Sequence, residues 1–168
     1  TVMENNSAVS AGGFYCLETA PGWEYGNVLF DNCDFENNSS SSGGAIYINC
    51  NSNRNQNSVI NNTIFKNNIA DNGAIIYFRH SDFVNPGDPS GIQISGCLMS
   101  GNTANVAGVI VLGNEYKNPD FNFINNVFIN NQSASTGSAL QLMQNATVNL
   151  YNNIILNNTT TSNTPTDG

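Results

Sequence analysis

Surface chemistry needs acids, bases or nucleophiles that can face one another, and this 168-residue chain offers twelve Asp and Glu, four Lys and Arg and one His. The densest acids are Asp31, Asp34 and Glu36, grouped around Phe35. Two facing carboxylates would serve glycoside hydrolysis. An acid cluster holding a cation beside a basic residue would serve a polysaccharide lyase. Glu36, however, is matched one repeat later by Lys66, which predicts a surface ion pair worth under about 1 kcal/mol rather than an acid and a base. His80 stands in Arg79-His80-Ser81-Asp82. A catalytic His–Asp pair requires a positioned nucleophile and a further partner, and the segment reads instead as a solvated loop. No catalytic residue is expected. With no CxxC and no dense Asp loop, neither a metal nor a cofactor is expected.

Binding chemistry is better represented. Trp23, Tyr25, Phe83 and Tyr116 fall in segments rich in Asn, Asp and Glu, a mixture suited to stacking on sugar rings or to contact with a protein. Anchoring those loops is the alternative use. Tyr47 and Tyr77 share an outward repeat position that Val111 follows and Cys16 precedes, predicting an apolar stripe. Cys16 and Cys50 are a candidate disulfide pair near the ends of adjacent strands. Cys33 and Cys97 recur two repeats apart with Thr63 between them, too far to bond if coils stack about 4.8 Å apart, and are expected as buried thiols. Glycosylation acceptors occur at Asn5, Asn37, Asn38, Asn61, Asn131, Asn145, Asn157 and Asn158. Asn5, Asn37, Asn131 and Asn157 are expected to align at a shared first-Asn turn position, so that glycans would follow one edge of a secreted protein.

The elements that position these groups are repeats. Phe35-Glu36-Asn37-Asn38 returns as Met3 to Asn6, Phe65 to Asn68, Met99 to Asn102, Phe128 to Asn131 and Ile155 to Asn158. A glycine half follows five of them: GGFYCL from Gly12, GGAIYI from Gly43, GAIIYF from Gly73, AGVIVL from Ala107 and GSALQL from Gly137. An alternating segment precedes five of the Phe-like positions, as in VLFDNCDF from Val28. Second Asn residues are 32, 30, 34, 29 and 27 apart, and the variation centres on one place, between the glycine half and the next alternating segment, the other segments holding their length to within a residue. Short alternating runs divided by turn residues predict strands rather than helices. Insertions confined to one edge predict a stacked coil. The expected fold is all-β, a right-handed parallel β-helix of about five three-stranded rungs over 1–158, with variable loops on one edge and a Thr-rich linker or tail over 159–168. The expected core stacks Phe30, Phe35, Ile46 and Ile48 under Ile60, Phe65, Ile76 and Phe78. Asn pairs at the bends suit left-handed backbone and could bond from rung to rung as a ladder.

Only 10% of residues are charged, with a net charge of −8, against about 25% charged in ordinary globular proteins. An acidic chain lacks the basic footprint of a nucleic-acid binder. No run of about 18 apolar residues predicts a membrane span. The chain opens in mid-repeat without Met or a signal peptide, which reads as a mature or excised part of something longer.

Gly43-Gly44-Ala45-Ile46, paired with the FxxN of Phe35 to Asn38, Phe65 to Asn68 and Phe128 to Asn131, resembles the repeat pair of the chlamydial polymorphic membrane proteins. The resemblance covers residues 2 to 158. It implies a right-handed parallel β-helix and an adhesive role. The expected function is therefore a non-enzymatic structural or adhesive protein, extracellular or at the cell surface. The expected partners are a second copy, joined end to end as a glycosylated subunit of a surface filament, or a host or cell-surface protein or glycan. A carbohydrate-active lyase or hydrolase is the alternative.

Overall fold

The computed structural model describes residues 1–17, 28–50, 57–80, 91–114, 120–142 and 146–161. They form strands and turns with no helix, and none is therefore long and apolar enough to cross a membrane as a helix. All pairings between strands are parallel, and each strand bonds to its own counterpart in the next repeat. The chain is a parallel β-helix, as the spacing predicts. In-register repeats leave each backbone N–H and C=O a partner above or below, which satisfies the polar backbone without antiparallel hairpins.

Four sheets run along the coil. The leading sheet holds Leu29–Asp31, Asn57–Asn61, Gly91–Ser95, Asp120–Ile124 and Thr147–Tyr151. The Phe sheet holds six strands, Val2–Glu4, Asp34–Glu36, Ile64–Lys66, Leu98–Ser100, Val127–Ile129 and Ile154–Leu156. The glycine sheet holds Phe14–Leu17, Ile46–Cys50, Ile76–His80, Ile110–Asn114 and Leu140–Leu142. These are the three strands expected per rung. A fourth exists as well: the spacer forms its own sheet from Ser39–Ser42, Ile69–Asn72, Thr103–Ala104, Gln132–Ser133 and Thr159–Thr160. The last of these carries the coil past residue 158, into the segment expected as tail.

Like stacks on like in the core. Phe35, Phe65, Met99 and Phe128 form one fully buried column, with the rings of Phe35 and Phe65 stacked at 5.2 Å. Ile46, Ile76 and Ile110 form a second, and Phe30, Ile60, Ile94 and Phe123 a third. Burying each such side chain contributes roughly 1.5–3 kcal/mol, which offsets the ordering entropy of a coil built from very short strands.

The two residues of each Asn pair divide the labour of the bend. The first is left-handed: φ is 58° at Asn5, 55° at Asn37, 53° at Asn67, 56° at Asn130 and 54° at Asn157, with Gly101 at 66° in the remaining copy. Asn tolerates that region better than other side chains. The second turns inward. Asn38, Asn68, Asn102 and Asn131 are wholly buried. Each accepts at Oδ1 from both the backbone N–H and the Nδ2 of the Asn one rung before, as in Asn38 to Asn68 at 3.0 and 3.1 Å. Each also donates Nδ2 to a Phe-sheet carbonyl of that earlier rung, as in Asn68 to Phe35 O at 2.9 Å. The six-membered chain runs Asn6, Asn38, Asn68, Asn102, Asn131, Asn158. A shorter ladder links Cys97, Asn126 and Asn153 at the preceding bend.

One repeat is set differently from the sequence match. Phe14, not Gly13 plus two, pairs with Ile46, so Ala11 occupies the place of Gly43. Ala11 takes φ 56° there. Gly12 and Gly13 follow where a Cβ would stand 2.5 Å and 2.7 Å from the carbonyls of Gly44 and Ala45. Close packing against the next rung, rather than the left-handed bend, requires those two glycines.

Candidate functional site

Two acids of the Asp31 to Glu36 group, Asp31 and Glu36, are engaged along the outside of the coil. Glu36 Oε1 meets Lys66 Nζ at 3.0 Å across adjacent strands, with both side chains partly solvated. This is the expected ion pair, worth under about 1 kcal/mol. Asp31 accepts from Asn32 Nδ2 at 3.0 Å and from Asn62 Nδ2 at 3.2 Å. Asp34 and Glu36 lie either side of the buried Phe35 on a single short strand, so both belong to the outer surface of the coil. Among the described residues no three His, Cys, Asp or Glu side chains gather as a metal site.

The outward tyrosines form a ladder of their own. Tyr15, Tyr47 and Tyr77 stack in register along the glycine sheet, at 5.1 Å and 5.3 Å between ring centroids and 17° and 14° between planes. Tyr15 holds the first position, and Cys16, expected there, packs instead against the core. The one-residue shift at Ala11 is the reason. Val111 continues the row and is buried. Burial, and then the neighbouring Tyr77 and Tyr15, push the Tyr47 phenol above its ordinary value. Stacked rings spend their faces on one another. The stripe therefore offers ring edges and hydroxyls to a partner, and only the outer face of the exposed Tyr15 remains for a sugar.

The glycosylation acceptors separate by position. Asn5, Asn37 and Asn157 are exposed at the left-handed corner, on one edge of the coil. Asn38 and Asn131 are buried, and Asn131 is the second residue of its pair, not the first. Their Nδ2 groups donate within the ladder, as does that of Asn158, and a glycan on a buried member would have to break it. Asn61 is partly buried, with Oδ1 accepting from Ser95. Cys33 and Cys97 are buried thiols, and burial pushes Cys97 up to about 11. Trp23, Tyr25, Phe83, Tyr116 and Asn145, with the side chains of Cys50 and His80, lie outside the described residues. The Cys16–Cys50 pairing lies there with them.

A row that sequence reasoning missed runs along the Phe sheet. Ile64, Leu98, Val127 and Ile154 are in register on its outer face, and Ile64, Leu98 and Ile154 are exposed. The signal was available: the residue before each Phe-like position is apolar in every copy but Asp34. With the coil and its surfaces in view, comparison with family models, with curated proteins and with solved structures finds no match to this chain.

Proposed function

We propose that this chain is a non-enzymatic structural or adhesive coil of the cell exterior, in keeping with the polymorphic membrane protein-like repeat. The observation that carries this reading is where the polar side chains go. The inward Asn residues bond from rung to rung, and the outward Asp31, Glu36 and Lys66 also bond across rungs. Such a chain uses its polar chemistry to hold its own shape. The exposed corner residues Asn5, Asn37 and Asn157 support an extracellular setting, since an N-linked glycan needs an accessible acceptor.

The test is incubation with acidic and neutral polysaccharides, reading release of reducing or unsaturated ends, beside binding of the same preparation to cell surfaces and immobilised glycans. Binding without depolymerisation is the expected result. Depolymerisation that disappears in Asp31→Asn, Asp34→Asn or Glu36→Gln would overturn the proposal in favour of a carbohydrate-active enzyme.

A further inference from the structure

The outer face of the Phe sheet changes character along the coil. Two outward columns flank the buried Phe column, one running Asp34, Ile64, Leu98, Val127 and the other Glu36, Lys66, Ser100, Ile129. Carboxylates hold one end, with Glu4 one rung below Glu36 and the exposed Asp31 across the bend. Aliphatic side chains hold the other. Lys66 meets Glu36, and among the described residues no cation pairs with Asp34. Ile64 and Leu98 are 39% and 37% exposed, while Val127 and Ile129 are half-buried. The rungs of Asp34, Ile64, Leu98 and Val127 each have a described rung on both sides, so what they present sideways does not depend on where the coil begins or ends.

The size of this face and its charge narrow the occupant. Left-handed corners bound it, at Asn32, Asn62, Gly96 and Asn125 on one side and at Asn37, Asn67, Gly101 and Asn130 on the other. Between them each strand has three residues, about 10 Å across, and a single helix is about 10–12 Å in diameter. The Asp34 and Val127 rows are three strand spacings apart, about 14 Å, which is the rise of about ten helical residues. A helix laid along the coil axis repeats its apolar stripe every turn, about 5.4 Å, over rows about 4.8 Å apart, and stays in step over three rows. A face of about 14 Å by 10 Å falls far below the roughly 800 Å² that each partner of a standard complex buries, which argues against a second copy of the coil. The carboxylates ask for a cationic partner and repel an anionic lipid surface.

We infer that the outer face of the Phe sheet docks a short amphipathic helix of another protein, its apolar stripe over Ile64, Leu98 and Val127 and a Lys- or Arg-bearing terminal turn over Asp34 and Glu36. Because Glu36 already holds Lys66, Asp34 leads the charged contact. The small area makes the complex weak and reversible. The inference rests on reading the chain as an adhesive surface coil. The polysaccharide assay reads bond cleavage and the test below reads binding at Leu98 and Asp34, so either can fail alone.

The probe is a fluorescein-labelled helical peptide of about 14 residues, with Leu along one face at helical spacing and Lys in its last turn, where the helix dipole favours it. It is titrated with the full chain and read by fluorescence anisotropy. Saturable binding with a Kd below about 1 mM is expected. Leu98→Gln should weaken it about tenfold, the loss of one buried Leu contact. Asp34→Asn should weaken it about threefold and flatten its fall between about 20 and 150 mM salt. Tyr15→Ser, on the glycine sheet, should leave it unchanged. The urea midpoint of each variant checks the fold, and Leu98→Thr, which keeps a strand-forming side chain, replaces Leu98→Gln if that chain fails to fold. No binding below about 1 mM, equal binding of a peptide with Glu in place of Lys, or equal binding by the Leu98 variant would overturn the inference. So would self-association of the chain alone in sedimentation, abolished by the Leu98 substitution, which would give the face to a second copy. Binding to phosphatidylcholine vesicles, abolished in the same way, would give it to lipid.

Discussion

Asn68→Ala cuts the ladder at its middle. Asn68 makes four side-chain bonds: Oδ1 accepts from Asn38 N–H and Asn38 Nδ2, and Nδ2 donates to Phe35 O and to Asn102 Oδ1. Asn102 Oδ1 keeps the backbone N–H of residue 68. The Asn38 N–H, one Asn38 Nδ2 hydrogen and the Phe35 carbonyl lose these partners at buried positions. A buried polar group left unmet costs about 1–3 kcal/mol, and a water in the vacated space recovers part of it, so the expected loss is about 3–5 kcal/mol. That is a large share of the roughly 5–15 kcal/mol that holds an ordinary domain together. The control is Asn67→Ala, one residue earlier, exposed and at φ 53°, where only the left-handed preference is lost, about 1 kcal/mol. Urea unfolding followed by far-UV circular dichroism reads both, with the slope checked for constancy. A third variant, Asn68→Asp, keeps the acceptor but points a carboxylate oxygen at Phe35 O and Asn102 Oδ1. It should be at least as unstable at neutral pH and regain stability relative to the parent as acid supplies the missing donor. If Asn68→Ala costs no more than Asn67→Ala, the ladder is an ornament of the coil and the reasoning fails.

The close approach of rungs makes Gly44→Ala costly, because its Cβ would run into the carbonyl of Ala74; a loss above about 2 kcal/mol in the same urea assay is expected, in the range of other overpacked sites. The Cys97 thiol, raised to about 11, stays protonated in the folded chain while an unfolded thiol ionises near 8.5. Folding therefore retains a proton that the unfolded state releases, and stability falls as pH rises from about 9 to 11; Cys97→Thr, the residue standing in that place at Thr63, should lose this component, and alkylation of Cys97 at pH 8 should appear by mass spectrometry only after unfolding. Expression through a secretory pathway should load glycans at Asn5, Asn37 and Asn157 and leave Asn38 and Asn131 empty, read as site occupancy in glycopeptide mass spectra. A four-residue Gly-Ser insertion after Asn68 should abolish cooperative unfolding, whereas the same insertion after Tyr116, in the segment whose length already varies between repeats, should move the urea midpoint by little.

The coil was legible because its strongest constraints recur as residue types. Phe-x-Asn-Asn marks a core column followed by a left-handed corner and a buried amide, and Met99-Ser100-Gly101-Asn102 meets the same three demands with Met in the column and Gly at the corner. The spacer sheet was harder to see. Its strands, SSSS, IADN, TA, QS and TT, share no alternating apolar pattern, since they are held chiefly by backbone bonds. What they share is a small residue two places after the ladder Asn: Ser40, Ala70, Ala104, Ser133 and Thr160, with Ala70, Ala104 and Ser133 buried. The slip at Ala11 arose because matching Gly-Gly to Gly-Gly assumes one reason for glycine, whereas bend and close packing are separate demands one residue apart. The grouping of Asn131 with the first-Asn acceptors failed on its place in the repeat. A sequon reports three residue types and not the place in the repeat, and in Phe128-Ile129-Asn130-Asn131 the acceptor is the second Asn, the one that turns inward.

The ladder also accounts for where the repeat tolerates change. From the Phe column through the corner to the spacer strand, each residue must place its backbone beside the same residue of the next rung, and the inward Asn must meet both an N–H and an amide there. One residue more or fewer would offset the amide from its partner by about 3.3 Å, which exceeds the tolerance of a hydrogen bond. The stretch from glycine strand to leading strand varies in length between repeats, and a longer connection there costs little, since loop-closure entropy grows slowly with length. Length is held from the leading strand through the corner to the spacer strand, changes by a single residue before Leu140–Leu142, and varies most on the remaining edge. A scaffold with that property can vary its loop edge while every rung keeps the polarity that directs the next one.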